Sequence, residues 1–493
     1  MSGPLSGRVI ESAIWKVSRT GFDNVLRFAT FIILARYLTP AEFGVFALAS
    51  LFIQISGMLA SGGMGDYLVR HADPDELLKS TIFWTNLALT SCFSLVIVVF
   101  SPLIARSAGD DDIRLILCTL AVLMLLGPLT TVSGSMAYRD FKVKTLELIG
   151  AFCSMAANGA SIVVALSGGG LWALVAGNVV SSFLGLALIL YFFPWRAKLL
   201  YSVKEVREIF SFTSNIIAAQ MLQTLVVRIQ EVIASSFLGL AALGIYRIGL
   251  RFMELIGEGF IGPVSGLALV SLSKLRDDVE RRANAYLRMI SVTSFIYTPM
   301  LLGFAAVADD AVPLIFGEQW LDSVDITRIL ALLAPATVLS YYHGPTLSAA
   351  GRSDVLRNIT LMQFFGTLIF TLVGVRWGLQ GIAWAYVLRA YLTLPIQMYW
   401  LKNATGVRPD RAMIAALRPF AAALIMAAAV YLGLDWMRSN QFGTELRLFL
   451  ACTAGAIIYP AIMFTIFASS TNAILATFRE LLRNRKSLAA NAT

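Results

Sequence analysis

Long apolar runs dominate this chain and leave it few ways to fold. About 14 stretches are long enough, at roughly 20 residues each, to cross a bilayer as helices. They begin near Ser12, Gly44, Ser80, Ile113, Thr145, Leu171, Phe212, Ala241, Asn284, Asp325, Val355, Gly381, Ala412 and Leu446. The runs are continuously apolar rather than alternating, so their backbone polar groups have to be satisfied within helices and not along barrel strands. The expected fold class is therefore an all-α polytopic membrane protein. Only 14% of the residues are charged, against about a quarter in a soluble domain. The first run is the weakest, because Lys16, Arg19, Asp23 and Arg27 interrupt it. It is also too polar to serve as a secretory signal peptide.

The charges between the runs set an orientation. Alternate connections carry Arg139, Lys142 and Lys144, then Arg196, Lys198, Lys204 and Arg207, then Lys274, Arg276, Arg281 and Arg282. Further along come Lys402, Arg408 and Arg411, and a tail with Arg479, Arg483, Arg485 and Lys486. The opposite connections hold Asp110-Asp111-Asp112, Asp309-Asp310, Glu318 and Asp322. By the positive-inside rule both termini are cytoplasmic and the acidic loops face outward. The net charge of +9 follows from this topology, and no nucleic-acid partner is needed to explain it.

The sequence also repeats. Leu38-Thr39-Pro40-Ala41-Glu42-Phe43-Gly44-Val45-Phe46 is answered 200 residues later by Leu238-Gly239-Leu240-Ala241-Ala242-Leu243-Gly244-Ile245-Tyr246. Leu125-Leu126-Gly127-Pro128 is echoed by Leu332-Leu333-Ala334-Pro335, and Ala137-Tyr138-Arg139 by Ala350-Gly351-Arg352. Gly170-Leu171-Trp172-Ala173 matches Gly381-Ile382-Ala383-Trp384. Four echoes in one order predict two lobes of six spans, residues 1–195 and 212–402, joined by a basic amphipathic linker at 196–211. Two further spans in 403–470 and a basic tail, 471–493, complete the layout. Six spans per half is an even number, so the halves form a parallel repeat, an arrangement that suits a transporter whose lobes rock against each other.

Three spans carry polar residues at helical spacing, which places them on one face each. Lys16, Arg19, Asp23, Arg27 and Thr30 mark the first span; Gln220, Thr224, Arg228, Glu231 and Ser235 mark the seventh. Arg247, Arg251, Glu254 and Glu258 mark the eighth. Arg251 lies roughly 15 Å from the outer end of its span, near the bilayer middle. A charge exposed to lipid there costs at least about 2.5–3.5 kcal/mol. One reading is mutual neutralisation, since Asp23 can reach Arg19 or Arg27 and Arg251 can reach Glu254. The other is a cationic cavity between the lobes for an anionic cargo, because arginine grips phosphate through two parallel hydrogen bonds and keeps its charge when desolvated. In that reading Glu254 and Glu258 repel other anions, tune the arginines or carry coupling protons.

Other features point to structure. Tyr341-Tyr342-His343 reads as packing sooner than as a sugar-stacking platform, and Gly62-Gly63 with Gly65 reads as close helix contact. Prolines at 128, 263, 299, 335, 395, 419 and 460 are expected to kink helices. Cys92, Cys118, Cys153 and Cys452 all fall within spans and lack metal spacing, so no disulfide or metal site is assigned. The chain has no Gly-Lys dipeptide and so no P-loop for ATP. No cofactor is implied.

With these residues in view, the chain resembles the prokaryotic polysaccharide transporter family. Its members are O-antigen and exopolysaccharide flippases, in the superfamily that also contains MATE multidrug exporters and the lipid II flippase. The resemblance rests on Ala35-Arg36-Tyr37-Leu38-Thr39-Pro40-Ala41-Glu42-Phe43-Gly44-Val45-Phe46, on the echo ending Leu243-Gly244-Ile245-Tyr246, and on Ala350-Gly351-Arg352. It implies flipping of undecaprenyl-pyrophosphate-linked oligosaccharide repeat units across the bacterial inner membrane, with a polysaccharide polymerase and co-polymerase as partners. The narrower expectation is a succinoglycan-type exopolysaccharide exporter. A MATE-like multidrug exporter is the first alternative, and the arginine-rich stripes argue against its soluble cationic cargo. A membrane-embedded glycosyltransferase or polymerase is the second. Such enzymes place catalytic acids in sizeable outer loops, whereas the longest here, about Ala308 to Val324, is short. No enzymatic activity is expected.

Overall fold

The computed structural model describes residues 4–71, 73–108, 112–261, 268, 272–273, 275, 278–468 and 471–472. Asp110, Asp111, Pro263, Lys274, Arg276, the basic tail and the Lys16 side chain lie outside the described residues. Among the described residues every regular element is helical. The chain divides into two compact units, Met1–Ile245 and Tyr246–Thr493.

The first unit contains α1 (Pro4–Tyr37), α2 (Pro40–Ser61), α3 (Met64–Arg70), α4 (Glu76–Ala108), α5 (Asp112–Met124) and α6 (Gly127–Arg139). It continues through α7 (Val143–Leu166), α8 (Trp172–Phe192) and α9 (Val203–Leu238) to the first turns of α10 (Leu240–Ile256). Helix α9 passes without a break from the basic linker into the seventh apolar run. A buried cluster around Ala49, Ile113, Leu117, Val175 and Leu240 packs α2, α5, α8 and the start of α10 together. A second, around Met64, Leu78, Ile82 and Ile209, joins α3, α4 and α9.

The second unit begins with the remainder of α10 and a π-helical turn at Gly257–Ile261. It continues with α11 (Val279–Phe316), α12 (Ser323–Ala331), α13 (Ala334–Tyr341) and α14 (His343–Ala349). The last helices are α15 (Ser353–Gly374), α16 (Gly378–Thr405), α17 (Pro409–Ser439) and α18 (Thr444–Thr465). Helix α11 is the centre of this unit, with α12, α13, α17 and α18 packed on it.

Among the described residues nine helical stretches are long and apolar enough to cross a membrane, or eleven if each of two bent pairs is one span, short of the expected fourteen. One of the nine, residues 353–405, consists of α15 and α16 folded back on each other. Gln363 bonds Gln397 across the pair, and Gly374 meets Gly381 backbone to backbone at the turn.

The first repeat motif is a helix start. The Thr39 amide donates to Glu42 Oε2 at 2.7 Å, and the Glu42 amide donates to Thr39 Oγ1 at 3.3 Å. This reciprocal capping box satisfies donors that the first turn of α2 would leave orphaned, and Pro40 follows at a position needing no donor. The second copy opens α10 differently, with Gly239 at φ +88° as the single residue between the end of α9 at Leu238 and the start of α10. The two copies also touch. A Cβ placed on Gly44 would run into the Leu240 carbonyl, and one placed on Gly244 would run into the Pro40 carbonyl. Each glycine thus admits the other copy's backbone, in a reciprocal crossing.

The second echo marks a matching break in each unit. Helices α5 and α6 bend by 41° around Leu125-Leu126, with Pro128 at the head of α6; α12 and α13–α14 bend by 57° around Leu332-Leu333, ahead of Pro335. Proline has no amide to continue the ladder, so the helix restarts there. Pro299, Pro395, Pro419 and Pro460 lie inside helices. The glycine run divides in two: Gly62 and Gly63 adopt φ +53° and +66° and form the turn between α2 and α3, while Gly65 lies against Ser135. Asp309 and Asp310 are not in a loop, contrary to expectation. Helix α11 continues to Phe316, because both acids find arginine partners and need no water.

Candidate functional site

In α1, Arg19 is the organising side chain. Its Nε donates to Asp23 Oδ2 at 3.2 Å, one turn away, and its Nη1 donates to Glu147 Oε2 of α7 at 2.7 Å. The guanidinium lies over Gly150, where a side chain would collide with it. Asp23 is 7% exposed, and its Oδ1 has no hydrogen-bond partner. Thr30 is buried, whereas Arg27 is exposed. Lys144, three residues before Glu147, stands 5.2 Å over the Trp15 ring.

In α9, Arg228 Nη1 donates to Glu231 Oε1 at 2.7 Å, and Glu231 is buried. Ser235 is turned back onto its own helix, bonding the Val232 carbonyl. Gln220 is exposed and Thr224 half-buried.

In the second unit, Arg251 Nη1 donates to Glu254 Oε2 at 3.3 Å; both side chains are part-buried, and so is Arg247. Glu258 is exposed and belongs to the π-helical turn that ends α10. Such turns are rare and recur at functional sites.

The stripes are therefore ion-paired within their own helices: Arg19 with Asp23, Arg228 with Glu231 and Arg251 with Glu254. Their arginines keep 32%, 21% and 20% side-chain exposure. Pairing reduces the cost of a charge in a span without removing the fork that could meet a phosphate.

The sequence reading missed several charged residues. Glu147 was one, although it is the single acid in α7. A second was Arg389, buried in α16 with its guanidinium 4.9 Å over Tyr386; a single arginine in the run from Gly381 to Leu394 was its signal. The third is a network at the end of α11. Asp309 accepts from Arg328 at 2.6 Å and Arg438 at 3.1 Å, while buried Asp310 accepts from Arg438 at 2.9 Å and Arg447 at 2.8 Å. It ties α11 to α12, α17 and α18. Of the aromatic trio, Tyr342 bonds Thr293 at 2.6 Å and His343 is buried, so both are packing groups.

An apolar cavity of about 420 Å³ opens within the second unit. Phe252 of α10, Phe304 of α11, Met426 of α17 and Cys452 and Tyr459 of α18 line it. Among the described residues no group of three metal-ligating side chains forms.

This is the fold of a multi-span helical transporter. It is similar to the lipid II flippase MurJ in an inward closed conformation, with TM-score 0.75 over 92% of this chain and 99% of that one at 13% identity. The chain belongs to the polysaccharide biosynthesis protein family, whose sequence model matches residues 33–325. It is 25% identical to the succinoglycan biosynthesis transport protein ExoT of Rhizobium meliloti (strain 1021), across 97% of this chain and 96% of that protein. It is 22% identical to the teichuronic acid biosynthesis protein TuaB of Bacillus subtilis (strain 168), across 96% and 98%.

Proposed function

We propose that this chain flips an undecaprenyl-pyrophosphate-linked oligosaccharide repeat unit across the bacterial inner membrane by alternating access, and that it is a transporter rather than an enzyme. The observation that carries the reading is a set of part-buried arginines held by carboxylates, Arg19 by Asp23 and Glu147, Arg251 by Glu254, and Arg228 by Glu231 within an apolar span, in a family of polysaccharide biosynthesis proteins. Arg19, Arg228, Arg247 and Arg251, with Lys16 and Arg27, supply cations for a pyrophosphate; Asp23, Glu231, Glu254 and Glu258 hold and tune them. The apolar cavity beside α18 has the chemistry to take part of a polyprenyl chain. A multidrug exporter would need a surface for soluble cations, which these stripes do not offer. A polymerase and co-polymerase on the outer side are the expected partners.

Counting α15 and α16 separately and adding α1 and α10 gives fourteen spans, with both termini cytoplasmic. Reporter fusions at Asp112 and Glu318 are then expected to read as periplasmic, and a fusion after Thr493 as cytoplasmic. Either acidic position reporting from the cytoplasm reverses the proposed orientation.

Arg251 tests the site. Lysine keeps the charge but offers only a point donor in place of the planar fork. Arg251→Lys and Arg251→Ala are both expected to lower polymer export while membrane abundance stays near wild type. If Arg251 served only to neutralise Glu254, the alanine variant would lose abundance and the lysine variant would export normally. Full export by Arg251→Lys removes this residue from the substrate site.

A further inference from the structure

Residues 193–202 join α8 to α9 without regular structure, yet the segment is pinned along the start of α4. The Lys198 amide donates to Ser80 Oγ and the Ser202 amide to Thr81 Oγ1, each at 3.2 Å. Trp84 Nε1 donates to the Lys198 carbonyl at 2.9 Å. The Trp195 ring packs edge-on against Phe83 at 5.9 Å. Such anchoring fixes which side chains the strap displays. Leu199 is 91% exposed and Tyr201 55%, and Val203, which opens α9 at the end of the strap, is 70% exposed.

The position of the strap follows from its neighbours. Helix α8 is an apolar span that ends at Phe192, and α4 is one that begins at Glu76. The strap therefore lies where spans leave the bilayer. Basic side chains surround its apolar tips. Arg196, Lys198 and Lys204 are exposed, and exposed Lys142, from the turn between α6 and α7, stands 5.7 Å over the Phe193 ring. Glu76 approaches Lys198 at 3.8 Å, and Glu205 and Glu208 follow in α9. An excess of cations remains around the strap.

Three neighbouring apolar side chains in water are unfavourable, by about 25 cal/mol for each Å² exposed. Flanking cations forbid deep burial in hydrocarbon. Apolar tips with a basic rim match the boundary between acyl chains and headgroups of a negatively charged leaflet. We propose that this strap is a binding surface for anionic phospholipid, with Leu199, Tyr201 and Val203 at the acyl boundary and Lys142, Arg196 and Lys204 on the headgroup phosphates. The proposal rests on the membrane-spanning fold and is independent of what the protein transports.

The full-length protein in nanodiscs provides the test. Adding phosphatidylglycerol to phosphatidylcholine is expected to raise the wild-type melting temperature by about 3 °C. About 1 M salt, which shortens the screening length to roughly 3 Å, should abolish that rise. The Lys142→Gln, Arg196→Gln, Lys204→Gln triple variant should match wild type in phosphatidylcholine and gain nothing from phosphatidylglycerol. A triple variant that keeps the whole rise overturns the proposal. Independently, a polarity-sensitive dye on Leu199→Cys, with exposed Cys92 and Cys452 changed to serine, should report an apolar setting and be quenched by spin-labelled headgroups. A dye that stays in water in nanodiscs, or is shielded only when another protein co-purifies, also overturns it.

Discussion

Gly44→Val and Gly244→Val are each expected to cost about 3 kcal/mol or more of folded stability, the upper end of overpacking effects. Most overpacked sites relax by turning a side chain aside. Here the obstruction is backbone: the Leu240 carbonyl faces Gly44, and the Pro40 carbonyl faces Gly244. Relief is possible only if α2 and the start of α10 separate, which opens the buried cluster holding Val45, Ala49 and Leu240. The pair should be strongly sub-additive, because both substitutions force apart one crossing and the second finds it already open. Gly159→Ala provides the contrast. That glycine lies inside α7 with no atom within 4 Å of a built Cβ, so alanine there should stabilise by about 0.5–1 kcal/mol. Melting temperature and yield of detergent-extracted protein measure all four variants. A wild-type melting temperature for Gly244→Val would show that the crossing is not closely packed.

Asp310→Ala is expected to be nearly as severe, costing about 3–5 kcal/mol, the range for breaking a buried ion pair from one side. Asp310 is 6% exposed and accepts from both Arg438 and Arg447. Its loss takes the carboxylate from part-buried Arg447, leaves Arg438 with Asp309 alone, and loosens α17 and α18 at the end of α11. Asp310→Asn should fall between alanine and wild type, since an amide oxygen can still accept. Asp309→Ala should cost less, because Asp309 is 32% exposed and its partner Arg438 keeps Asp310. Thermal melting in one detergent ranks the three variants. An Asp309→Ala effect larger than that of Asp310→Ala would reverse the assignment of the anchor.

These two sites also separate what the sequence could reveal from what it could not. Contacts within a helix were legible, because residues three or four apart share a face. Arg19 with Asp23 and Arg251 with Glu254 could be read from spacing alone, and both pairs form. Contacts between helices were not. Glu147 is 128 residues from Arg19, and no periodicity links them. Asp309 and Asp310 read as an outer loop because two adjacent acids ordinarily seek water. Their partners Arg328, Arg438 and Arg447 come from three other helices, so the compensation that keeps α11 intact was hidden. The repeat is visible in the sequence itself, and Pro128 and Pro335 announced the bends between α5 and α6 and between α12 and α13. That Gly44 and Gly244 face each other's motif could not be seen in either copy alone. The π-helical turn bearing Glu258 had no signature in composition or spacing.

On the function proposed above, this chain moves a lipid-linked oligosaccharide between leaflets. Proteoliposomes containing the purified chain and a fluorescent undecaprenyl-pyrophosphate-linked oligosaccharide test it most directly, with a membrane-impermeant quencher reporting how much label reaches the outer leaflet. Label is expected to move from the inner to the outer leaflet only where protein is present, and Arg251→Lys, inserted to the same level, is expected to slow that movement. Equal rates in protein-containing and protein-free vesicles would contradict it.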